Sequence, residues 1–177
     1  MVANQGDLLD YAPWNSSEVL AISRCMRGII LDRQQMYANG WSDMLRIPPL
    51  RAIGGLALAI STMGIVLEDA GAWPENGPED DRMAALLNTI PEQRRPSADQ
   101  AMEVLTLALH IDTEEAWAMI VGIGLAEMVV AMLTVAACCF VKTCELEHLE
   151  VDANLNSFWE SMAAPIQPTQ DDAVPSA

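Results

Sequence analysis

Glu127 is the residue of this chain whose surroundings most strongly suggest chemistry. It is the only charged residue between Ala116 and Val141. A carboxylate within an apolar helix must be paired, protonated or bound to a cation if it is buried. Glu127 therefore marks an ion pair with an arginine, a ligand site, or a gap in the packing where the helix faces water. We expect water or an ion pair.

Four possible soft metal ligands follow in the same region: Cys138, Cys139, Cys144 and His148. Their spacing is not the Cys-x-x-Cys of zinc ribbons, and buried cysteine behaves as a small hydrophobe, so we expect core packing. Glu145 and His148 form one Glu-x-x-His, a motif that di-iron bundles use twice. The other histidine, His110, follows Leu107 by three residues, so a di-iron site is not expected. The sequence contains neither a Gly-rich phosphate loop nor Gly-x-Ser-x-Gly.

Two apolar segments, residues 52–67 and 116–141, must position these side chains. The first has no charged residue, and Glu127 divides the second into uncharged windows shorter than the roughly 18 residues of a membrane span. Acidic residues flank the second segment, and the basic residues that orient spanning helices are nearly absent. We therefore expect core helices of a soluble protein, with a small membrane protein containing two hydrophobic helices as an alternative.

Small residues recur at helical spacing on both segments and form two stripes. Because side chains three and four positions apart share a helix face, such stripes allow close approach of another helix. The two helices are expected to cross at these stripes or to pair with a second copy of the chain. The stripes thus predict a homo-oligomer. Its predicted interface consists of Gly54, Ala57, Ser61, Gly64, Ala118, Gly122 and Ala126.

No segment alternates apolar and polar residues, so the sequence predicts an all-α fold, a helical bundle of five or six helices around the two apolar ones. Residues 1–14 are expected to be irregular, residues 15–163 to form a single helical domain, and residues 164–177 to be a flexible acidic tail. The predicted helices run from Ser16 or Ser17 to Asn39 with Gly40 as the stop, from Pro49 to about Gly71, over residues 80–89, from Ser97 to His110, and as one long helix from Thr113.

The formal net charge of −16 belongs entirely to residues 52–177, because the first 51 residues contain equal numbers of arginines and acids. Such a surface repels nucleic-acid phosphates and favours basic proteins or cations. We therefore predict no direct nucleic-acid binding and a possible basic protein partner. The first 20 residues contain acids and no apolar run, which argues against a secretory signal, and four cysteines then suggest free thiols in the cytoplasm.

Residues 58–69 and 124–133 resemble the two helices of all-α nucleoside triphosphate pyrophosphohydrolases, the MazG-like group. In that family, a Glu-x-x-Glu and a Glu-x-x-Asp bind magnesium. The matching positions here are Thr62, Ile65, Gly124 and Glu127. Only Glu127 retains an acid, and Glu68 lies one turn beyond the first pair. The resemblance implies that Glu127 and Glu68 are the metal ligands. It also implies that this chain is a non-catalytic relative of the family.

Two functions remain open at this stage. The first, which we favour, is a non-enzymatic helical interaction protein that needs no cofactor, self-associates through its apolar helices and presents an acidic surface to a partner. The second is a magnesium-dependent nucleotide pyrophosphohydrolase-like protein that uses Glu127, Glu68 and either His110 or Glu103.

Overall fold

The computed structural model describes residues 14–111 and 113–163, and over these residues the fold is all-α, as predicted. The predicted acidic tail and all but Trp14 of the predicted irregular segment lie outside the described residues. Eight α-helices and a short 3-10 helix, Glu92–Arg94, make up the described chain. The α-helices are α1 (Ser16–Ile30), α2 (Gln34–Met44), α3 (Pro49–Asp69), α4 (Asp81–Leu87), α5 (Ala98–Leu109), α6 (Glu114–Ile123), α7 (Leu125–Glu147) and α8 (Val151–Ala163).

The helix predicted over residues 16–39 is in fact two helices. Asp32 has a left-handed φ of 50°, and the N–H of Arg33 donates to the carbonyl of Gly28 at 2.9 Å, which closes α1. Gly40, the predicted stop, lies buried inside α2. A Cβ at this position would lie 2.6 Å from the backbone nitrogen of Cys25 on α1. This glycine allows two backbones to approach closely and does not end a helix.

The long helix predicted from Thr113 begins there but is interrupted. The Thr113 hydroxyl accepts from the N–H of Ala116 at 3.2 Å and caps α6, as expected. Gly124 then adopts φ 102° and ψ 145°, which L side chains rarely adopt, and separates α6 from α7. The two breaks, at Asp32 and Gly124, together with a distinct α8, give eight α-helices in the described residues where five or six were expected.

The other predicted helices agree more closely with the structure. Pro49 opens α3, and Gly71, with φ 67°, follows its end. The Asp80 side chain accepts from the N–H of Arg82 and caps α4. The Ser97 hydroxyl accepts from the N–H of Gln100 at 3.1 Å and caps α5. The first helix is capped by Asn15, whose side chain accepts from two backbone N–H groups, and not by the serines that follow it.

Helix α7 contacts α1, α3, α4, α5, α6 and α8, and α3 packs against both α5 and α7. Both α3 and α7 have a length and mean hydropathy, 1.8 and 2.0, that would also suit membrane-spanning helices. Within their most apolar windows, however, 56% and 72% of the residues are buried inside the chain. Core helices of soluble proteins pass the same length and hydropathy test.

The N-terminal end of the described chain is fixed to its C-terminal helix by aromatic packing. Trp14 is buried and stacks on Trp159 of α8 with ring centroids 5.2 Å apart. The indole N–H of Trp159 donates to the sulfur of Met26 on α1 at 3.1 Å. A bidentate ion pair between Glu18 and Arg51, with side chains 13% and 12% exposed, joins the start of α1 to α3. These contacts hold α1, α3 and α8 in one core.

Gly40 and Gly122, two of the glycines within helices, give a matched test of the packing between α1 and α2. Gly40→Ala should lower the free energy of unfolding by about 1–2 kcal/mol, because overpacking outweighs the gain in helix propensity. Gly122→Ala has nothing within 4 Å of the new methyl group and should leave stability unchanged or raise it by up to about 1 kcal/mol. Urea unfolding followed by circular dichroism measures both, at a protein concentration low enough that the chain is monomeric, because Gly122 belongs to the predicted interface between copies. Equal effects of the two substitutions would contradict the close approach of α1 and α2.

Candidate functional site

Glu127 lies in the first turn of α7, where a carboxylate complements the helix dipole. Its Oε2 atom is 2.6 Å from the position that a Cβ on Gly124 would occupy, so the glycine leaves room for the carboxylate. The residue is exposed and faces a cavity of about 380 Å³ that also contains Arg94 and Arg95. Among residues 14–111 and 113–163, Glu127 forms no ion pair. Of the arrangements considered for Glu127, the structure therefore has the one in which the carboxylate faces water.

The two arginines of that cavity have other partners. Arg94 is paired with Asp32 at 3.0 Å and lies over the ring of Tyr37. The guanidinium of Arg94 and the amide of Gln93 hold the pKa of the Asp32 carboxyl below its usual value. Arg95 donates to the carbonyl of Ile90 at 2.9 Å. These contacts fasten the segment between α4 and α5.

Glu68, the second predicted metal ligand, lies at the exposed end of α3 and lines a different cavity. That cavity, of about 470 Å³, lies between α3 and α5, and Trp73 and Glu75 of the following loop also line it. The structure thus does not bring Glu68 and Glu127 into one site. Within the described part of the chain, no group of three or more His, Cys, Asp or Glu side chains is arranged to hold a metal ion. Of the residues suggested to act with them, His110 lines the Glu68 cavity, whereas Glu103 lines neither.

The cysteine group has the environment of core side chains. All four cysteines are buried and free, and burial raises the pKa of Cys25 and Cys138 to about 12 and that of Cys144 to about 11. Burial also raises the pKa of Cys139. His148 is exposed in a left-handed conformation at the end of α7. The thiols are therefore protonated packing groups at neutral pH.

The two predicted small-residue stripes have different environments. On α3, Gly54, Ala57 and Gly64 are buried within the chain, and the Ser61 hydroxyl donates to the carbonyl of Ala108 on α5 at 2.9 Å. On α6 and α7, the stripe residues Ala118, Gly122 and Ala126 are all exposed. Only the second stripe is therefore available to another molecule.

Large apolar side chains next to this second stripe in the sequence are also exposed. Val121 is 63% exposed, Ile123 38%, Leu125 37% and Val130 36%. We call this region the elbow surface, because α6 meets α7 at Gly124 in its middle. It consists of Ala118, Val121, Gly122, Ile123, Leu125, Ala126 and Val130. The sequence pointed to its small residues but not to its exposed apolar ones, because the apolar segments were expected to be core helices covered on several sides.

Sequence reasoning also missed two cavities formed by helix packing. One is the cavity between α3 and α5. The other, of about 950 Å³, lies between α1 and α2 and contains Arg24, Arg27 and Arg33. Arg24 is paired with Asp43 at 3.0 Å and Arg27 with Asp152 at 2.5 Å, so two of these three cations are already neutralised.

The chain matches no protein family, no characterised protein and no solved structure. The resemblance to the pyrophosphohydrolases stays a prediction.

The raised thiol pKa values predict that alkali weakens the fold. The pKa of an unfolded thiol is about 8.5, so the unfolded chain loses its thiol protons before the folded chain does. The stabilisation from the neutral buried thiols should be complete below pH of about 8.5 and should be lost progressively as pH rises toward the folded values. Urea unfolding at a series of pH values measures this decrease.

Cys25→Ala provides the control. The substitution removes one thiol with a raised pKa. The free energy of unfolding of the variant should therefore fall less steeply with pH than that of the wild type. Identical slopes would show that Cys25 does not contribute.

Proposed function

We propose that this chain is a non-enzymatic helical interaction protein of the cytoplasm that self-associates through its elbow surface and presents an acidic face to a basic protein partner. The observation that carries the proposal is that four large apolar side chains and three small ones are exposed within residues 118–130. Clustered exposed apolar residues mark interaction sites, whereas isolated ones need no explanation.

Charge favours a second copy as the occupant of the elbow surface. Two chains of formal charge −16 repel each other over most of their surfaces. The elbow residues are themselves uncharged, and the one carboxylate beside them is that of Glu127, next to Gly124. Contact through the elbow residues therefore buries apolar area with less like-charge repulsion than contact through the rest of the surface. Self-association through this surface should therefore strengthen when salt screens the remaining acidic groups.

The small residues give the proposed contact its geometry. Ala118 and Gly122 lie four residues apart on one face of α6, and an added methyl group on Gly122 would meet no atom within 4 Å. A helix from a second copy can therefore approach the backbone closely. A two-fold dimer is the simplest assembly in which the same patch is used by both copies.

The other readings have weaker support. A magnesium-dependent pyrophosphohydrolase needs its carboxylates together, and Glu68 and Glu127 line separate cavities. A membrane protein would expose the flanks of α3 and α7 to lipid, and more than half of each apolar window is buried by the chain itself. We propose instead that α3 and α7 form the apolar centre of the helical bundle.

Val121→Glu tests the self-association. The side chain is 63% exposed, so the substitution should leave the monomer folded while placing a charge in the proposed contact. In size-exclusion chromatography with light scattering, the wild type should show a mass of about twice 19.2 kDa, and Val121→Glu a mass near 19.2 kDa.

Leu45→Glu is the matched control, because Leu45 is 67% exposed at the end of α2 and receives the same change of charge. It should keep the dimer mass. A wild-type chain that remains monomeric at all concentrations and salt levels would refute the proposal.

A further inference from the structure

The cavity between α3 and α5 combines an apolar floor with an acidic end. Ile65 is 62% exposed on α3 and Leu109 is 49% exposed on α5, and both line it together with Met102 and Leu105. We call this cavity, of about 470 Å³, the α3–α5 groove. It is separate from the elbow surface, and none of the residues of that surface lines it.

The apolar side of the groove continues along α3 beyond the cavity itself. Leu58 precedes Ile65 by seven residues, which places both on one face of the helix, and Leu58 is 48% exposed. These two exposed apolar side chains are two turns apart, about 10 Å along the helix, with Ser61 and Thr62 between them. A helix of another protein can lie lengthwise across such a pair. Met102 at the base of the groove has a flexible side chain that adapts to different occupants.

The charge at the end of the groove selects the occupant. Glu68 and Glu75 line it, and the described lining includes no lysine or arginine. Glu75 is 58% exposed and only 3.5 Å from Arg82, which is itself held more closely by Asp80 at 2.8 Å. Trp73 also lines the cavity, and its ring lies 3.0 Å from the position that a Cβ on Gly64 of α3 would occupy. An aromatic ring can bind a cation over its face.

The loop that carries Trp73 and Glu75 is held in place by Asp80. The Asp80 carboxylate accepts from the N–H of Asn76 at 3.1 Å and from the guanidinium of Arg82. These contacts with Arg82 hold the pKa of the Asp80 carboxyl well below its usual range. The acidic end of the groove is therefore preformed, which limits the entropy lost on binding.

We propose that the α3–α5 groove binds a basic amphipathic helix of another protein, with its apolar side chains on Ile65, Leu105 and Leu109 and a lysine or arginine between Glu68, Glu75 and Trp73. This inference rests on the proposed interaction function and names the chemistry of the partner. A second copy of this chain is a poor occupant, because its charge of −16 meets carboxylates here and not the uncharged residues of the elbow.

A synthetic amidated helix of about four turns, roughly 14 residues of leucine and lysine with leucine at positions i, i+3, i+4 and i+7, is the probe. Isothermal titration calorimetry of the full chain should show saturable binding at one site. Glu68→Gln with Glu75→Gln should raise the dissociation constant about tenfold, and Ile65→Ser should raise it by a similar factor. Added salt should weaken binding to the wild type.

Glu114→Gln with Glu115→Gln is the matched control, since it removes the same charge from exposed positions outside the groove. It should change the dissociation constant less than twofold. A peptide of the same composition in scrambled order should bind at least tenfold more weakly. Equal losses from the two double variants, or equal binding of the scrambled peptide, would overturn the groove and leave only general attraction between opposite charges.

The titration is repeated on Val121→Glu, which separates this inference from the self-association. Unchanged peptide affinity in that variant supports the groove whether or not the wild type dimerises. A wild type that dimerises and binds no peptide removes the groove and leaves the elbow contact. The salt responses also differ, because salt should strengthen self-association and weaken peptide binding.

Discussion

Burial of α7 is the constraint on which the rest of the structure depends. From Met128 to Val141 nearly every side chain is withdrawn from water, and six other helices supply the cover. Burial of apolar area is the main favourable term in folding, so the positions of those helices follow from the need to cover this one. The tight α1–α2 pair joins the core through α1, which packs against both α7 and α8.

The same constraint explains where apolar side chains remain exposed. The helices that pack on α7 cover it from Met128 onward, while the segment on either side of Gly124 stays in solvent. The positive φ of Gly124 ends α6 and starts a new helix, so the apolar sequence continues past the edge of the core. The elbow surface is thus the part of the apolar segment that residues 14–111 and 113–163 leave exposed.

Acidic charge bears differently on the two exposed apolar surfaces for which we propose occupants. Strong net negative charge makes copies of the chain repel each other over most of their surfaces, so contact between copies would meet least repulsion at the uncharged elbow residues. Carboxylates flank the apolar side chains of the α3–α5 groove, and there the same charge would favour a basic partner. The two proposed occupants differ because the charge next to the two surfaces differs.

Local signals in the sequence were enough to specify the fold class and many helix ends. Pro49, Asp80, Ser97, Thr113 and Gly71 act through bonds or backbone angles within a few residues, so they could be read directly. Asp32 and Gly40 could not, because a left-handed aspartate has no unambiguous signal and a glycine that ends a helix looks like one that admits a neighbouring backbone. The separation of Glu68 from Glu127, the covered stripe on α3 and the exposed one on α6 were decided only by tertiary structure. Periodicity shows which face of a helix is apolar, but whether another helix covers that face depends on contacts between residues far apart in the chain.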